Sequence, residues 1–379
     1  MGEPALNKVL LSASMIVRDE ERFLEGCLNS IRYVVDEIVI VDTGSIDQTK
    51  AIAKKFDARV FDFPWNDDFS SARNEALKYC LGEWILYIDA DERLRPIDKS
   101  QVECLLSDRS KVAFTVKFHP CDGYTAYKEH RIFRNDPRIR FNGVIHETII
   151  PSISTVVDED HLKIGSSNLI VDHIGYDGDQ KHKHMRNLPL LRRQVEREPK
   201  RVYCWWHLGV VLKGLGDEEG AEQVWKSAIK VIREKKTVDP ADSQPYYDLI
   251  RLKYGKGKDV TELIKEAQAL FPENYLIMWI KGMMLMHEKQ FEDAIPLFKF
   301  LTSIDASNLD GGPLAYDARI FNVLSYEPMA TCYYKLGRFK ESETYYALAE
   351  QCDPDNLEYK TKRMYVATLL KKHKVKYAG

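Results

Sequence analysis

The sequence predicts a two-part chain, a mostly parallel α/β domain followed by an all-α repeat domain. Three observations carry that reading. Short apolar runs alternate with helix-like stripes over residues 10–89. Several of those runs end in carboxylates, as in LYIDADE at residues 86–92. After about residue 200 the strand pattern stops and one helical template recurs.

The elements follow in order. LLSASMIV, residues 10–17, reads as a first strand. Phe23, Leu24, Cys27, Leu28 and Ile31 then make one helical stripe. EIVIVD, 37–42, is a continuous apolar run suited to a parallel strand buried on both faces. Gly44-Ser45-Ile46-Asp47 supplies turn and cap chemistry for a helix to about residue 56. ARVFDF, 58–63, is a third strand, and Ser70 to Leu81 a helix with Gly82 as its C-cap. WILYID, 84–89, is the fourth strand.

The polar residues then fall at one place in this alternation. Arg18, Asp19 and Glu20 follow the first strand, Asp42 ends the second, and Asp89 and Asp91 end the fourth. Ligands of open α/β sheets sit at the carboxyl ends of the strands. Burying unpaired carboxylates is costly, so a cationic or polyhydroxyl partner is expected there. Two acids one residue apart suit a hard divalent cation whose shell is completed by water and phosphate. An Asp-x-Asp alone is equally compatible with a solvated turn, and its setting decides. Asp42 can accept from a nucleobase N–H, and Arg73 in SSARN can answer diphosphate charge or a base edge.

In the second half, Trp205, Leu208, Gly209, Leu212, Ala221, Trp225 and Ala228 fit the tetratricopeptide template. Gly282, Leu285, Ala294 and Phe298 repeat it, as do Ala330, Tyr333, Tyr346, Ala349 and Pro354. A degraded unit over 246–272 ends in Ala267 and Pro272. The expected division is 1–180 for the α/β domain, 181–203 for a linker helix and 204–379 for the repeats. His182 and His184 have a spacing that could bind metal, but the Lys and Arg around them favour a solvated basic stretch. KKHKVKYAG, 371–379, reads as a solvated tail.

Composition narrows the class. A net charge of −3 gives no basic field for nucleic acid. No apolar run approaches the ~20 residues of a membrane span. The opening MGEPALNKVLLSASMIV has no basic n-region or small-residue cleavage site, so its apolar part is expected to be a strand rather than a leader. The 7 cysteines are scattered, without a Cys-x-x-Cys pair, and suggest reduced thiols in the cytoplasm.

SMIVRDEERFLEGCLNSI, EIVIVDTGSIDQT, DFSSARNEAL and GEWILYIDADERL together resemble the family 2 inverting glycosyltransferases of GT-A fold, in the family's order and spacing. RIFRND, RFNGVIHETI, VDHIGY and RNLPLLRRQVEREPK look like two branches of it: the lipopolysaccharide-core β-glucosyltransferases and, more closely, the bacterial peptide glycosyltransferases of the sublancin type. The resemblance spans about residues 10–200. It implies a nucleotide-diphospho-sugar transferase that uses a UDP-sugar donor with Mn²⁺ or Mg²⁺. It places Asp42 on uracil, backbone near Val17 around the base, Glu20 toward the ribose and Arg73 near uracil and phosphate. Asp89 would face ribose and metal, Asp91 would bind the metal directly, and His173 would complete the shell. Inversion onto a hydroxyl also needs a general base. Glu147 is the first candidate and His146 its companion, although the pair could instead only position the acceptor or a turn. A cysteine acceptor would depend less on a base, because its thiol is already partly ionised.

Repeat arrays commonly bind peptides or self-associate. The partners expected are thus a UDP-hexose, first of all UDP-glucose, and a protein or peptide acceptor through Ser, Thr or Cys, with a homodimer open through the repeats. A lipopolysaccharide or other glycan acceptor stays open. Two other classes are compatible with an acidic sheet rim or with the repeats. A nucleotidyltransferase would need a Gly-rich loop where this chain has VRDEERFLEGC. A repeat adaptor with a decayed, UDP-binding domain would not need Asp42, Arg73, Asp89, Asp91, Glu147 and His173 together.

Overall fold

The computed structural model describes residues 9–175, 180–309 and 311–376, with side chains to residue 371. The residues about the expected leader-free start, 1–8, and Tyr176 of VDHIGY lie outside the described residues, as do the side chains of most of the expected solvated tail. The chain forms two compact units, 1–122 with 126–221, and 123–125 with 222–379.

The first unit begins β1 (Leu11–Val17), α1 (Leu24–Ile31), β2 (Glu37–Asp42), α2 (Thr49–Lys55), β3 (Arg59–Asp62), α3 (Phe69–Tyr79) and β4 (Trp84–Tyr87). It continues with β5 (Glu92–Leu94), α4 (Lys99–Leu106), β6 (Lys111–His119), β7 (Tyr127–Arg134), α5 (Ile150–Asp160), β8 (Lys163–His173), α6 (Lys181–Arg197) and α7 (Val202–Gly214). One sheet of eight strands has the order β3-β2-β1-β4-β7-β6-β8-β5. β3, β2, β1 and β4 run parallel. β7 is antiparallel to both β4 and β6, and β5 to β8.

Successive strand residues point to opposite faces, and both faces are covered. Leu11, Ala13, Met15, Ile40 and Leu86 join Leu24, Cys27, Leu28 and Ile31 of α1 in one core cluster. Val39, Ile85 and Phe133 join Leu77 of α3 and Ile153 of α5 in the other. Burial on both sides is why β1 and β2 read as nearly unbroken apolar runs.

Gly82 does not cap α3. That helix ends at Cys80, in extended conformation. The backbone of Gly82 is not left-handed; a Cβ there would lie 2.5 Å from Ser12 Oγ and 2.7 Å from Ser12 N. Glycine is required because β1 passes against it, and Ser12 Oγ accepts from Gly82 N at 2.8 Å.

The second unit is helical. α8 (Glu218–Arg233) spans the division between the units; α9 (Gln244–Gly255), α10 (Thr261–Leu270), α11 (Tyr275–His287), α12 (Phe291–Leu301), α13 (Val323–Lys335), α14 (Phe339–Cys352) and α15 (Leu357–Lys376) follow. The template residues fall where paired helices need them. Gly282 of α11 lies under the ring of Phe298 of α12, and a Cβ there would come to 2.8 Å from Cζ. Ala330 of α13 and Tyr346 of α14 are buried in one cluster. The degraded unit is the pair α9 and α10, with Ala267 fully buried. Among the described residues no helix is long and apolar enough to cross a membrane.

Candidate active site

The parallel register sets Val17 beside Asp42 at the carboxyl ends of β1 and β2. Asp42 is 1% exposed. Its Oδ1 accepts from Gly44 N and Ser45 N, both at 2.9 Å, while its buried Oδ2 has no hydrogen-bond partner among the described residues. A buried carboxylate oxygen left open is costly, and a donor from a ligand is what it lacks. The Val17 carbonyl is already taken by Thr43, through N at 2.9 Å and Oγ1 at 3.1 Å. Val17 therefore offers shape rather than a hydrogen bond from that carbonyl.

Asp89 follows β4. Both its oxygens accept from Arg73 Nη2, at 2.9 and 3.0 Å, and Arg73 Nε donates to Glu147. Arg73 comes from α3, whose start is capped by the side chain of Asp68. Burial opposes its charge, but Asp89 and then Glu147 outweigh it and raise the pKa of the guanidinium further. The guanidinium also stands over the rings of Tyr87 and Phe141, at 5.2 and 5.6 Å. One buried cation thus spans Asp89, assigned to the donor, and Glu147, assigned to the acceptor.

Asp91 Oδ2 and His173 Nε2 stand 3.1 Å apart, and His173 Nδ1 is 3.1 Å from the Pro120 carbonyl. The carbonyl calls for a ring proton on Nδ1, and Nε2 meets the carboxylate either through a second ring proton or across a cation. With the ring singly protonated, the pair fits a divalent metal. Burial disfavours charge on both groups, yet their mutual hydrogen bond lowers the Asp91 pKa and raises that of His173. Among the described residues no three His, Cys, Asp or Glu side chains gather as a full ligand set. The pair would leave most of the shell to diphosphate and water, as Mg²⁺-type sites do.

Gly175 makes room for Asp91, since a Cβ there would lie 2.0 Å from Oδ2. Gly175→Ala is expected to push the carboxylate off the His173 side and cost about 1–3 kcal/mol of packing. Thermal melts would show that loss, and UDP calorimetry with and without Mn²⁺ would show a smaller metal-dependent gain.

Glu20 follows β1, and its N–H donates to Thr49 Oγ1 at 2.7 Å. Burial, then Asp91 and Asp89, push its carboxyl up to about 7, with Lys183 and Arg186 opposing. Its carboxyl thus feels the charge of the acidic pair and of two cations of α6. Those cations lie in the stretch expected to be simply solvated. Lys183 Nζ donates to the Gly175 carbonyl at 3.0 Å. The missed signal is their spacing, 183 and 186, which puts both on one helical face. His182 is exposed, and His184 packs against Gly214.

Two more residues escaped the sequence. Glu92, third acid of the DADE run, is 2% exposed and held by Arg131 at 2.8 and 3.0 Å. Glu92 Oε2 also accepts from Asp89 N at 2.9 Å, which fixes the turn that aims Asp89. Burial pushes the Glu92 carboxyl up to about 7, against Arg131.

His146 and Glu147 diverge. His146 has a left-handed backbone, φ 49°, which turns its ring onto His207 at 3.9 Å, while Glu147 goes to Arg73. Burial and then Arg201 lower the His146 pKa to about 4, so its ring is neutral near pH 7. Its neighbours are rings, and Glu147 alone of the two lies against Arg73 and its acid partner.

Residues 12–156 match the sequence profile described as Glycosyl transferase family 2. A TPR repeat-containing protein of Synechococcus elongatus is 34% identical over 58% of this chain and 56% of its own length. The SPbeta prophage-derived glycosyltransferase SunS of Bacillus subtilis is 28% identical over 58% of this chain and 53% of its own. The chain therefore spans about half the length of these curated relatives. The Staphylococcus aureus TarS 1–349 structure in complex with UDP-GlcNAc matches 69% of this chain and 91% of that one, at 15% identity and TM-score 0.40.

Proposed function

We propose, for a chain whose residues 12–156 match the Glycosyl transferase family 2 profile and are followed by repeat-like helices, a GT-A-type, metal-dependent inverting transfer of a hexose, glucose first, from UDP to a Ser, Thr or Cys of a protein or peptide. The observation that carries the reading is the rim where Asp91 meets His173 while Arg73 spans Asp89 and Glu147. The open Asp42 Oδ2 accepts the uracil N–H, and Glu20, Lys183 and Arg186 stand on the ribose and phosphate side. Asp91 and His173 would hold Mn²⁺ or Mg²⁺, with Asp89 toward the ribose; the bound cation would neutralise charge on the departing diphosphate.

The acceptor oxygen or sulfur forms its bond to the anomeric carbon as the bond to UDP breaks. Glu147 takes the acceptor proton, and the bond pair leaves on the diphosphate oxygen. Arg73 holds Glu147 and Asp89 in a fixed relation through the step. The boundaries 1–180, 181–203 and 204–379 assign donor chemistry to the first part, with Lys183 and Arg186 of the second beside it, and acceptor binding, with self-association into a homodimer, to the last. A cytoplasmic setting suits seven scattered cysteines without a Cys-x-x-Cys pair.

The test is a panel of UDP-hexoses with Mn²⁺, read as UDP release, followed by mass spectrometry of peptide acceptors. UDP-glucose is expected to be turned over fastest and to add one hexose to a peptide side chain. Release from none of the panel, or transfer to glycans alone, would reject the reading.

A further inference from the structure

We infer that Gln194, Arg201 and His207, all beyond the matched domain, are positioning residues for Glu147, acting through the backbone of one loop. The inference rests on the reading of Glu147 as the base.

Asn142 and Thr148 close that loop with two backbone hydrogen bonds, at 3.0 and 2.9 Å. Two of its residues, Gly143 at φ 106° and His146 at φ 49°, are left-handed. Only Gly adopts that conformation without cost, so His146 is held by its surroundings. Three groups from the C-terminal end of the first unit hold it. Gln194 Oε1 accepts from Val144 N at 2.8 Å. Arg201 Nη2 donates to the His146 carbonyl at 2.6 Å. The His207 ring stacks on the His146 ring at 3.9 Å.

The loop also touches the other half of the machinery. Phe69 N donates to the Val144 carbonyl at 3.0 Å. Phe69 begins the helix that carries Arg73. Both members of the Arg73–Glu147 pair thus hang on the peptide units flanking Val144.

Burial shows what Gln194 is for. The side chain is 0% exposed, and its Nε2 has no partner among the described residues. A buried amide with an open donor costs stability. An apolar residue of its size would avoid that cost but strand the Val144 N–H. The side-chain hydrogen bond of the amide goes to the loop, at Val144 N. Gly143 is where this apparatus passes closest, since a Cβ there would stand 3.2 Å from Gln194 Nε2 and 3.3 Å from Arg201 Nη1.

The test uses the full chain, UDP-glucose and Mn²⁺. Gln194→Met is expected to lower kcat for UDP release by about 10²-fold, the effect of a misplaced catalytic group. Donor KM and UDP affinity by calorimetry should stay within about twofold on the same ground. Gln194→Glu keeps the acceptor for Val144 N–H and should restore most of kcat. Combined with Glu147→Gln, Gln194→Met should add no further loss, because residues acting as one unit are not additive. Should Gln194→Met not fold, Arg201→Gln carries the same comparison.

A folded variant with unchanged kcat overturns the inference. So does an equal fall in UDP affinity, which marks a structural role, or a loss that multiplies with that of Glu147→Gln. Glu147→Gln measured alone judges the base reading separately. If it is fully active that reading fails, and a loss at Gln194→Met then shows a route other than Glu147.

Discussion

Asp91→Ala should reduce hexose transfer by about 10³-fold, since a metal supplies several kcal/mol of charge stabilisation and each 1.4 kcal/mol is tenfold. EDTA should do the same to the unmodified chain, and excess Mn²⁺ should rescue the chelated protein but not the variant. The discriminating measurement is UDP calorimetry. Mn²⁺ should tighten UDP binding to the unmodified chain and leave the variant's weak binding unchanged. Asp91 and His173 are the pair proposed to hold the cation, at 3.1 Å with the other ring nitrogen on a carbonyl. Full turnover in EDTA would remove the metal from the mechanism.

Glu147→Gln should keep UDP affinity within about twofold and lose about 10²–10⁴ in kcat with a hydroxyl acceptor. The amide still accepts from Arg73 Nε, so the pocket should keep its shape while the proton acceptor is gone. A thiol acceptor should lose less, because part of it is ionised without help. Running the variant with a Ser peptide and its Cys counterpart separates the two. Equal loss with both would show that Glu147 matters through Arg73, whose guanidinium would be left with one full counter-charge instead of two. Turnover within a fewfold of the unmodified chain would place the base elsewhere.

Much of this was legible in the sequence because it is local. The apolar runs of β1, β2 and β4 and the stripe of α1 each depend on neighbours in the chain, and strand-end carboxylates announce a rim wherever a parallel sheet forms. The repeats were legible for the same reason, as Gly282 and Phe298 recur at fixed offsets. The motifs that carry Asp42, Arg73, Asp89, Asp91 and Glu147 lie within residues 12–156, which match the Glycosyl transferase family 2 profile, whereas His173 lies beyond them.

Which of them pair was not legible. Arg73 meets Glu147 across 74 residues and Asp91 meets His173 across 82. The sequence put His146 and Glu147 side by side, but a single left-handed residue sends one ring to His207 and the carboxylate to Arg73. Gly82 illustrates the same limit: a glycine after a helix suggests a cap, whereas the approach of Ser12 is what demands it. Lys183 and Arg186 read as part of a basic, solvated stretch, and Gln194 and Arg201 as part of a linker, because charge on a helix face is ordinary until something charged is packed against it. Propensity and periodicity fix the elements; the partner of a buried charge is set by packing between elements distant in the chain, where desolvation forces each carboxylate and guanidinium to find the other.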